Sequence, residues 1–469
     1  MHFESSPPAA IDPEGGPWHR GLTKYHWFVL VVAALGWMFD TMDQQLFNLA
    51  RRPAMDALLH TRDMEGVAAS KLVSDYGSYA TAIFMIGWAL GGLGFGILGD
   101  RIGRARTMMW TILIYSIFTG LSAFSKGFWD FALYRFLTGL GVGGEFAVGV
   151  ALVAEVFPDR ARPHALGWLQ ACSAIGNMTA AVMAMGLGSL EKRGVGITPW
   201  RAMFIIGTLP ALLAILIRRR LKEPERWKAV ARAEELVPGA EKKLGSVSEL
   251  FGNPRWRKNA IVGMVLGFSG VVGLWGIGFF SFDLVRAVFK AQLVEQVPKL
   301  SKAAIDGELT WRVGLTSLFQ NLGGFFGVYA FTKVTARMGR KPAFAISFLL
   351  AAAATAYTFW SFNAYHHIFW MIPLMGFCQL TLFGGYAIYF PELFPTRLRS
   401  TGTSFCYNVG RLVAAAGPLT LGAIQRGMIP EYGEINARRY AGVAMCAVFF
   451  IGLLALPFAP ETKGKPLPE

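Results

Sequence analysis

Charge is what this chain has little of. Asp, Glu, Lys and Arg make up 16% of its 469 residues against 54% hydrophobic, whereas an average soluble domain carries about 25% charged residues. A water-soluble globule is therefore excluded, and the bilayer is the expected solvent. Cysteine is also scarce. Cys172, Cys378, Cys406 and Cys446 all fall inside apolar blocks, without metal-ligand spacing or a nucleophile's companions, so they read as reduced packing residues and no metal site is expected. No polar segment holds a nucleotide loop or a nucleophile-base set. An embedded enzyme is therefore not expected, nor is any cofactor. Acidic residues are outnumbered, 30 to 45, for a net charge of +15. The Lys and Arg sit between apolar blocks and not in an aromatic-interleaved patch, which points away from nucleic acid.

What is present comes in long apolar blocks of roughly 18 to 25 residues, enough for a helix to cross a hydrocarbon core. The first lacks a charged start, short core and small-residue cleavage site, and is expected to stay in the mature protein. The blocks divide the chain into a tail, 1–25, a six-span half, 26–217, a polar linker, 218–258, a second six-span half, 259–458, and a tail, 459–469. Outside the spans, about 27 Lys and Arg fall on the side of the termini and about 16 on the other, so both termini are expected to be cytoplasmic in a multi-pass plasma (inner) membrane protein.

Two repeats tie the halves together. Glu155-Val-Phe-Pro158-Asp-Arg160-Ala-Arg162 returns as Glu392-Leu-Phe-Pro395-Thr-Arg397-Leu-Arg399, and Arg101-Ile-Gly103-Arg104 returns as Arg337-Met-Gly339-Arg340. The expected fold is an all-α membrane protein of twelve transmembrane helices in two six-helix halves related by internal duplication. The repeated residues sit where helices leave the membrane. With Gly96 and Asp100 they form a candidate gate, in which Asp100 pairs with cations of the neighbouring half and holds the cytoplasmic side shut; the alternative is that these arginines only fix topology.

These motifs resemble the major facilitator superfamily over Tyr25 to Gly464. Gly96-Ile-Leu-Gly-Asp100-Arg101-Ile-Gly103-Arg104-Ala-Arg106 is similar to the family's loop between its second and third helices; the second copy has Ala336 in place of the acid. Arg135-Phe-Leu-Thr-Gly139-Leu-Gly141-Val-Gly143 resembles the fourth-helix motif, whose arginine serves proton coupling in family members. Glu223-Pro-Glu-Arg226-Trp227 and Pro460-Glu-Thr-Lys-Gly464 resemble the ends of the halves in the sugar-porter and metabolite-symporter branches. Asp40-Thr-Met-Asp43 and Gly143-Gly144-Glu145 are similar to elements of aromatic-acid and sialic-acid proton symporters. The seventh helix, Gly273-Leu-Trp275-Gly-Ile-Gly278, lacks the paired glutamines of hexose porters, and the fifth lacks the Gly-Pro element of drug antiporters. The resemblance implies import over efflux.

An ionisable side chain at membrane depth costs about 2.5–3.5 kcal/mol on insertion scales, so each one asks for a partner or a function. Asp40, Asp43, Arg135 and Glu145 are the candidate proton-coupling set. Asp40 and Asp43 share a helix face, and burial with mutual repulsion favours a protonated carboxyl there. Asp43 is expected to pair with Arg135 when deprotonated and release it when protonated; a static interhelical bridge is the alternative. Glu145 is either a second proton site or a structural hydrogen-bonding group. Arg411 offers paired donors to a substrate carboxylate, or else forms an internal ion pair with Asp40 or Glu145. Gln170, Asn177, Trp275, Gln320, Asn321, Gln379, Tyr386, Tyr407 and Asn408 could line the path, or could bond helix to helix.

The expected function is secondary active import of a small polar metabolite, a carboxylate-bearing organic acid or sugar acid, by proton symport with alternating access. Its partners would be that substrate, protons and the bilayer, with the chain functional as a monomer. A neutral-metabolite symporter or uniporter is an alternative, and a non-transporting receptor with the same fold is another.

Overall fold

The computed structural model describes residues 17–61, 67–192, 198–236, 244–296, 302–414 and 416–468. Most of the N-terminal tail, residues 237–243 of the linker and residue 469 of the C-terminal tail lie outside the described residues.

Every described element is a helix. The first half runs α1 (Lys24–Leu58), α2 (Val67–Ile102), α3 (Arg104–Ser122), α4 (Phe128–Val156) and α5 (Arg162–Lys192), then a broken sixth segment of α6 (Pro199–Ile206) and α7 (Ala211–Arg220). The break falls just before Pro210, whose missing N–H cannot continue the hydrogen-bond ladder. The linker supplies α8 (Glu225–Leu236) and α9 (Val247–Gly252). In the second half, α10 (Pro254–Val271), a π-helical stretch (Val272–Gly278) and α11 (Phe279–Gln296) make the seventh segment. They are followed by α12 (Lys302–Met338), α13 (Arg340–Ser361), α14 (His367–Glu392), α15 (Arg399–Ala414), α16 (Ala416–Met445) and α17 (Val448–Ala455). The α16 backbone leaves helical geometry at Gly433, φ 73°.

Among the described residues, eight segments are long and apolar enough to cross a membrane by themselves. The remaining segments are α3, α5, α12 and α15 with the first part of α16. Side chains that face outward are large and apolar, among them Trp110, Phe124, Trp129, Leu212, Trp360 and Leu454. The polar side chains turn inward: Asp40, Asp100, Arg104, Arg135, Thr138 and Arg399 are each 0% exposed. That inversion suits a chain surrounded by hydrocarbon.

Duplication is visible in the local structure. Gly103 and Gly339, with φ of 109° and 96°, make the tight exits from α2 and α12 that a side chain would strain. The free N–H groups at the start of the next helix are then capped from a distance. Glu223 accepts from Ala105 N and Arg106 N at 3.1 and 3.0 Å, and Glu461 accepts from Arg340 N and Lys341 N at 2.9 and 3.1 Å. Each half is thus closed by the segment that follows it. The halves meet where α2 packs on α15 and α5 packs on α12.

Candidate functional site

On the side where the linker helices lie, the two halves are locked together. Asp100, at the end of α2, accepts from Ser400 N at 3.1 Å and from Thr401 N and Oγ1 at 2.8 and 2.6 Å. It therefore meets the amino-terminal amides of α15, which have no partner within their own helix, and not a cation of the other half. Its cation is Arg104, at 2.9 Å in its own half. Glu155 Oε1 accepts from Arg104 and from Arg399 of the second half, both at 2.9 Å. Arg104 also donates to the Thr396 carbonyl at 2.6 Å. Ser404 packs on Gly96 and donates to the Gly92 carbonyl.

The remaining gate candidates form their hydrogen bonds within one half, although Arg162 also lies within electrostatic reach of Glu392 across the halves. Arg162 pairs with Asp159 and donates to the Ala154 carbonyl at 2.9 Å. Arg340 pairs with Glu392 at 2.7 Å. Arg101 and Arg337 are exposed, and the Arg337 carbonyl accepts from Lys463 at 2.7 Å.

Between the halves lies a cavity of about 70 Å³ lined by α1, α5, the π-helical stretch, α11, α12, α14 and α15. That is room for a few waters at about 10–15 Å³ each, and too little for a metabolite. Of the path candidates, Gln170, Asn177, Trp275, Gln320, Asn321, Tyr407 and Arg411 line it. Gln379, Tyr386 and Asn408 lie behind the wall. Gln379 accepts from Gln320 at 3.3 Å and donates to Thr355 at 2.9 Å, Tyr386 donates to the Leu266 carbonyl at 2.6 Å, and Asn408 bonds Ser404 at the contact between halves. Sequence reasoning missed Gln44, Gln45, Ser173 and Ser317 of the wall, although the span position that singled out Gln170 was equally available for them.

Arg411 is 5% exposed, with its Nε and one terminal nitrogen lacking any hydrogen-bond acceptor. Its guanidinium carbon lies 3.7 Å from the centre of the Trp88 ring and 4.1 Å from that of Tyr407. Neither Asp40 nor Glu145 forms an ion pair with it. Trp88 was not foreseen, because an aromatic in an apolar span carries no signal of the cation above it.

In the first half, Arg135 and Asp43 form an ion pair at 3.6 Å. Thr119 donates to the other Asp43 oxygen at 2.6 Å, while Arg135 also donates to Ser122 at 2.8 Å and to Thr138 at 3.0 Å. Phe204 closes the far side, with its ring centre 4.7 Å from the guanidinium. Asp40 accepts from Gln44 at 3.3 Å, and Gln44 belongs to the cavity wall. Glu145 Oε2 lies 2.7 Å from the Thr111 hydroxyl, and the carboxyl lies against Gly36. Its distance from Arg135 follows from the ten residues between them, about 15 Å along a helix. Among the described residues no cluster of His, Cys, Asp and Glu is arranged to hold a metal ion.

The sequence profile of the Major Facilitator Superfamily matches residues 33–418. A putative metabolite transport protein of Haemophilus influenzae is 29% identical over 448 residues, 95% of this chain and 99% of the relative. A probable 4-methylmuconolactone transporter of Cupriavidus pinatubonensis is 29% identical over 433 residues, 92% of this chain and 89% of the relative. Among solved structures, that of the proton:xylose symporter XylE bound to 6-bromo-6-deoxy-D-glucose superposes with a TM-score of 0.72 at 15% identity, over 94% of this chain and 98% of that one. That likeness is one of fold.

Proposed function

The chain belongs to the major facilitator superfamily, and on that premise we propose that it imports a small carboxylate-bearing metabolite by proton symport. The observation that carries this reading is Arg411, a buried guanidinium at the cavity wall with donors left over and no ion-pair partner. A buried cation without an anion is costly, and a substrate carboxylate would supply the missing charge in paired geometry. Trp88 and Tyr407 hold the planar group in place from its faces. The amides of Gln170, Asn177, Gln320 and Asn321 across the cavity suit hydroxyl or carbonyl groups on the rest of the substrate. They are also what a neutral polyhydroxylated metabolite would meet, which keeps that second reading in play.

Proton coupling is assigned to Asp43 and Arg135. With Asp43 ionised the pair holds α1 to α4; with Asp43 protonated the attraction is lost and Arg135 keeps only Ser122 and Thr138. Protonation then biases which side the cavity faces. The contacts of Asp100 and Glu155 would seal the cytoplasmic side of an inner membrane, with both termini on that side, and must break in each cycle. The relative named as a probable 4-methylmuconolactone transporter supports a small organic substrate.

The test is uptake of gluconate, benzoate and succinate into vesicles reconstituted with the full chain, with and without an inward-acid pH gradient. At least one of these carboxylates is expected to accumulate with the gradient, and Arg411→Gln to lose that uptake by about tenfold or more, the scale of one charge-assisted hydrogen bond. No carboxylate uptake or competition would remove the anion reading, and indifference to the gradient would remove symport. Asp43→Asn should keep exchange while weakening the accumulation driven by the pH gradient.

A further inference from the structure

Two buried acids, Asp40 and Glu145, are left over by the Asp43–Arg135 pair. Glu145 is 1% exposed, with Thr111 on Oε2 and no partner on Oε1. Thr111 Oγ1 lies 2.7 Å from Glu145 and 2.9 Å from the Met108 carbonyl. A hydroxyl has one hydrogen to give, and a carbonyl can only accept. Each short contact has a hydrogen of its own if Thr111 donates to Met108 and Glu145, carrying a proton, donates to Thr111. Thr119 differs: it meets the Asp43 carboxylate at 2.6 Å and can spend its one hydrogen there.

The placement is that of a relay. On α1, Gly36, Asp40 and Asp43 follow at spacings of four and three and so share a face. Gly36 leaves space that the Glu145 carboxyl fills, Asp43 meets Arg135, and Asp40 lies between with one oxygen unpartnered. On α3 the matching stripe is Thr111, Tyr115 and Thr119. Tyr115 is within electrostatic reach of all three acids, and Asp40 within reach of Glu145, Asp43 and Arg411. Gln44 joins Asp40 to the cavity wall.

We propose that Glu145 is a second proton site, loaded in this conformation and reached from the cavity through Gln44 and Asp40, so that two protons accompany each substrate molecule. One rides on Asp43 and one on Glu145, and with a monovalent carboxylate each cycle moves one net positive charge inward. The inference rests on the symport reading above. The titratable groups within electrostatic reach of Glu145 are Asp40 of α1 and Tyr115 of α3; the arginines to weigh are Arg135, about 15 Å along the same helix, and Arg411 of α15. The two arginines lie at Asp43 and at the cavity, so neither neutralises Glu145 directly.

Infrared spectra of the full chain in lipid vesicles, with protons as the probe, test it without a substrate. A buried protonated-carboxyl band is expected at neutral pH, lost as pH rises, absent from Glu145→Gln and retained in Asp43→Asn. Identical spectra for the wild type and Glu145→Gln would overturn the proposal. So would a band indifferent to pH, since a proton that never leaves is not carried. Should Glu145→Gln fail to fold, Thr111→Val removes the acceptor and must shift the band; no shift rejects the geometry. For whichever of gluconate, benzoate or succinate accumulates, the reversal potential should give two protons per molecule in the wild type and one in Glu145→Gln; one in the wild type overturns it. Asp43→Asn should carry one proton per molecule; two in that variant would sink the Asp43 assignment alone, leaving the infrared result on Glu145 to stand.

Discussion

The two copies of the gate motif began as one sequence and now do different jobs. In the first, Asp100, Arg104 and Glu155 all reach the second half, through the amides of α15, the Thr396 carbonyl and Arg399. In the second, Arg340 and Glu392 bond each other and the tail, with Thr462 donating to Glu392 at 2.6 Å. Ala336 stands where an acid would be and is exposed, whereas Asp100 is 0% exposed. The counterpart of Arg399, Arg162, has turned to Asp159. The first copy is therefore a lock between halves and the second a brace within one half. A transporter that must open and shut needs the first to be breakable and the second to hold.

Glu155→Gln is expected to have the largest effect on that comparison. It leaves Arg399 among neutral acceptors, and removing one partner of a buried ion pair costs about 3–5 kcal/mol, two to three orders of magnitude in the population of the locked state at about 1.4 kcal/mol per tenfold. A cysteine placed at Ser404, buried behind the lock, should become reactive to a thiol reagent applied from the linker side. Glu392→Gln breaks a pair of similar burial inside one half. It should lower the melting temperature and leave Ser404→Cys labelling unchanged; equal labelling in both variants would erase the distinction between lock and brace.

Asp100→Ala comes next. It removes two amide contacts at the start of α15, a capping loss of about 1–2 kcal/mol or roughly tenfold in the locked state. Ala336→Asp should change labelling less than about twofold, as exposed substitutions do. A tightened lock in Ala336→Asp would mean that the lost acid alone explains the asymmetry.

The spans could be read from sequence because hydrocarbon demands long apolar blocks and nothing else in the chain produces them. Asp43 and Arg135 could be singled out for the same reason, since a charge inside such a block is conspicuous. What partners those charges was not legible. Thr111, Thr119 and Ser122 look unremarkable in an apolar helix, where a hydroxyl can bond the preceding turn; only the packing of α3 on α1 and α4 aims them at Glu145, Asp43 and Arg135. The sixth span, Trp200 to Ile217, is interrupted between α6 and α7 although Pro210 was visible, because proline permits either a kink or a break. The π-helical stretch at the cavity carries no local signature beyond its glycines. Asp100 was expected to meet a cation across the halves; it found backbone amides, which sequence cannot place.

The smallest expected effect lies where each copy is capped from a distance. Glu461 is partly buried, which alone would favour its neutral form, but amides of Arg340, Lys341, Thr462 and Lys463 all donate to it and hold its carboxyl below the ordinary range. A depressed value in the folded state means that stability is present above the ordinary carboxylate range near 4.5 and is lost as pH falls through the lower folded value. Because the tail is half exposed, the contribution is set at the low end of capping, about 0.5 kcal/mol, or roughly 0.5 °C of melting temperature for a chain of this length. Melting of the purified chain should therefore differ between wild type and Glu461→Gln at neutral pH, and the two curves should converge on acidification below the carboxylate range. Curves that stay parallel would show that the tail caps α13 through its backbone and not through this charge, and the second copy would then owe its brace to Glu392 alone.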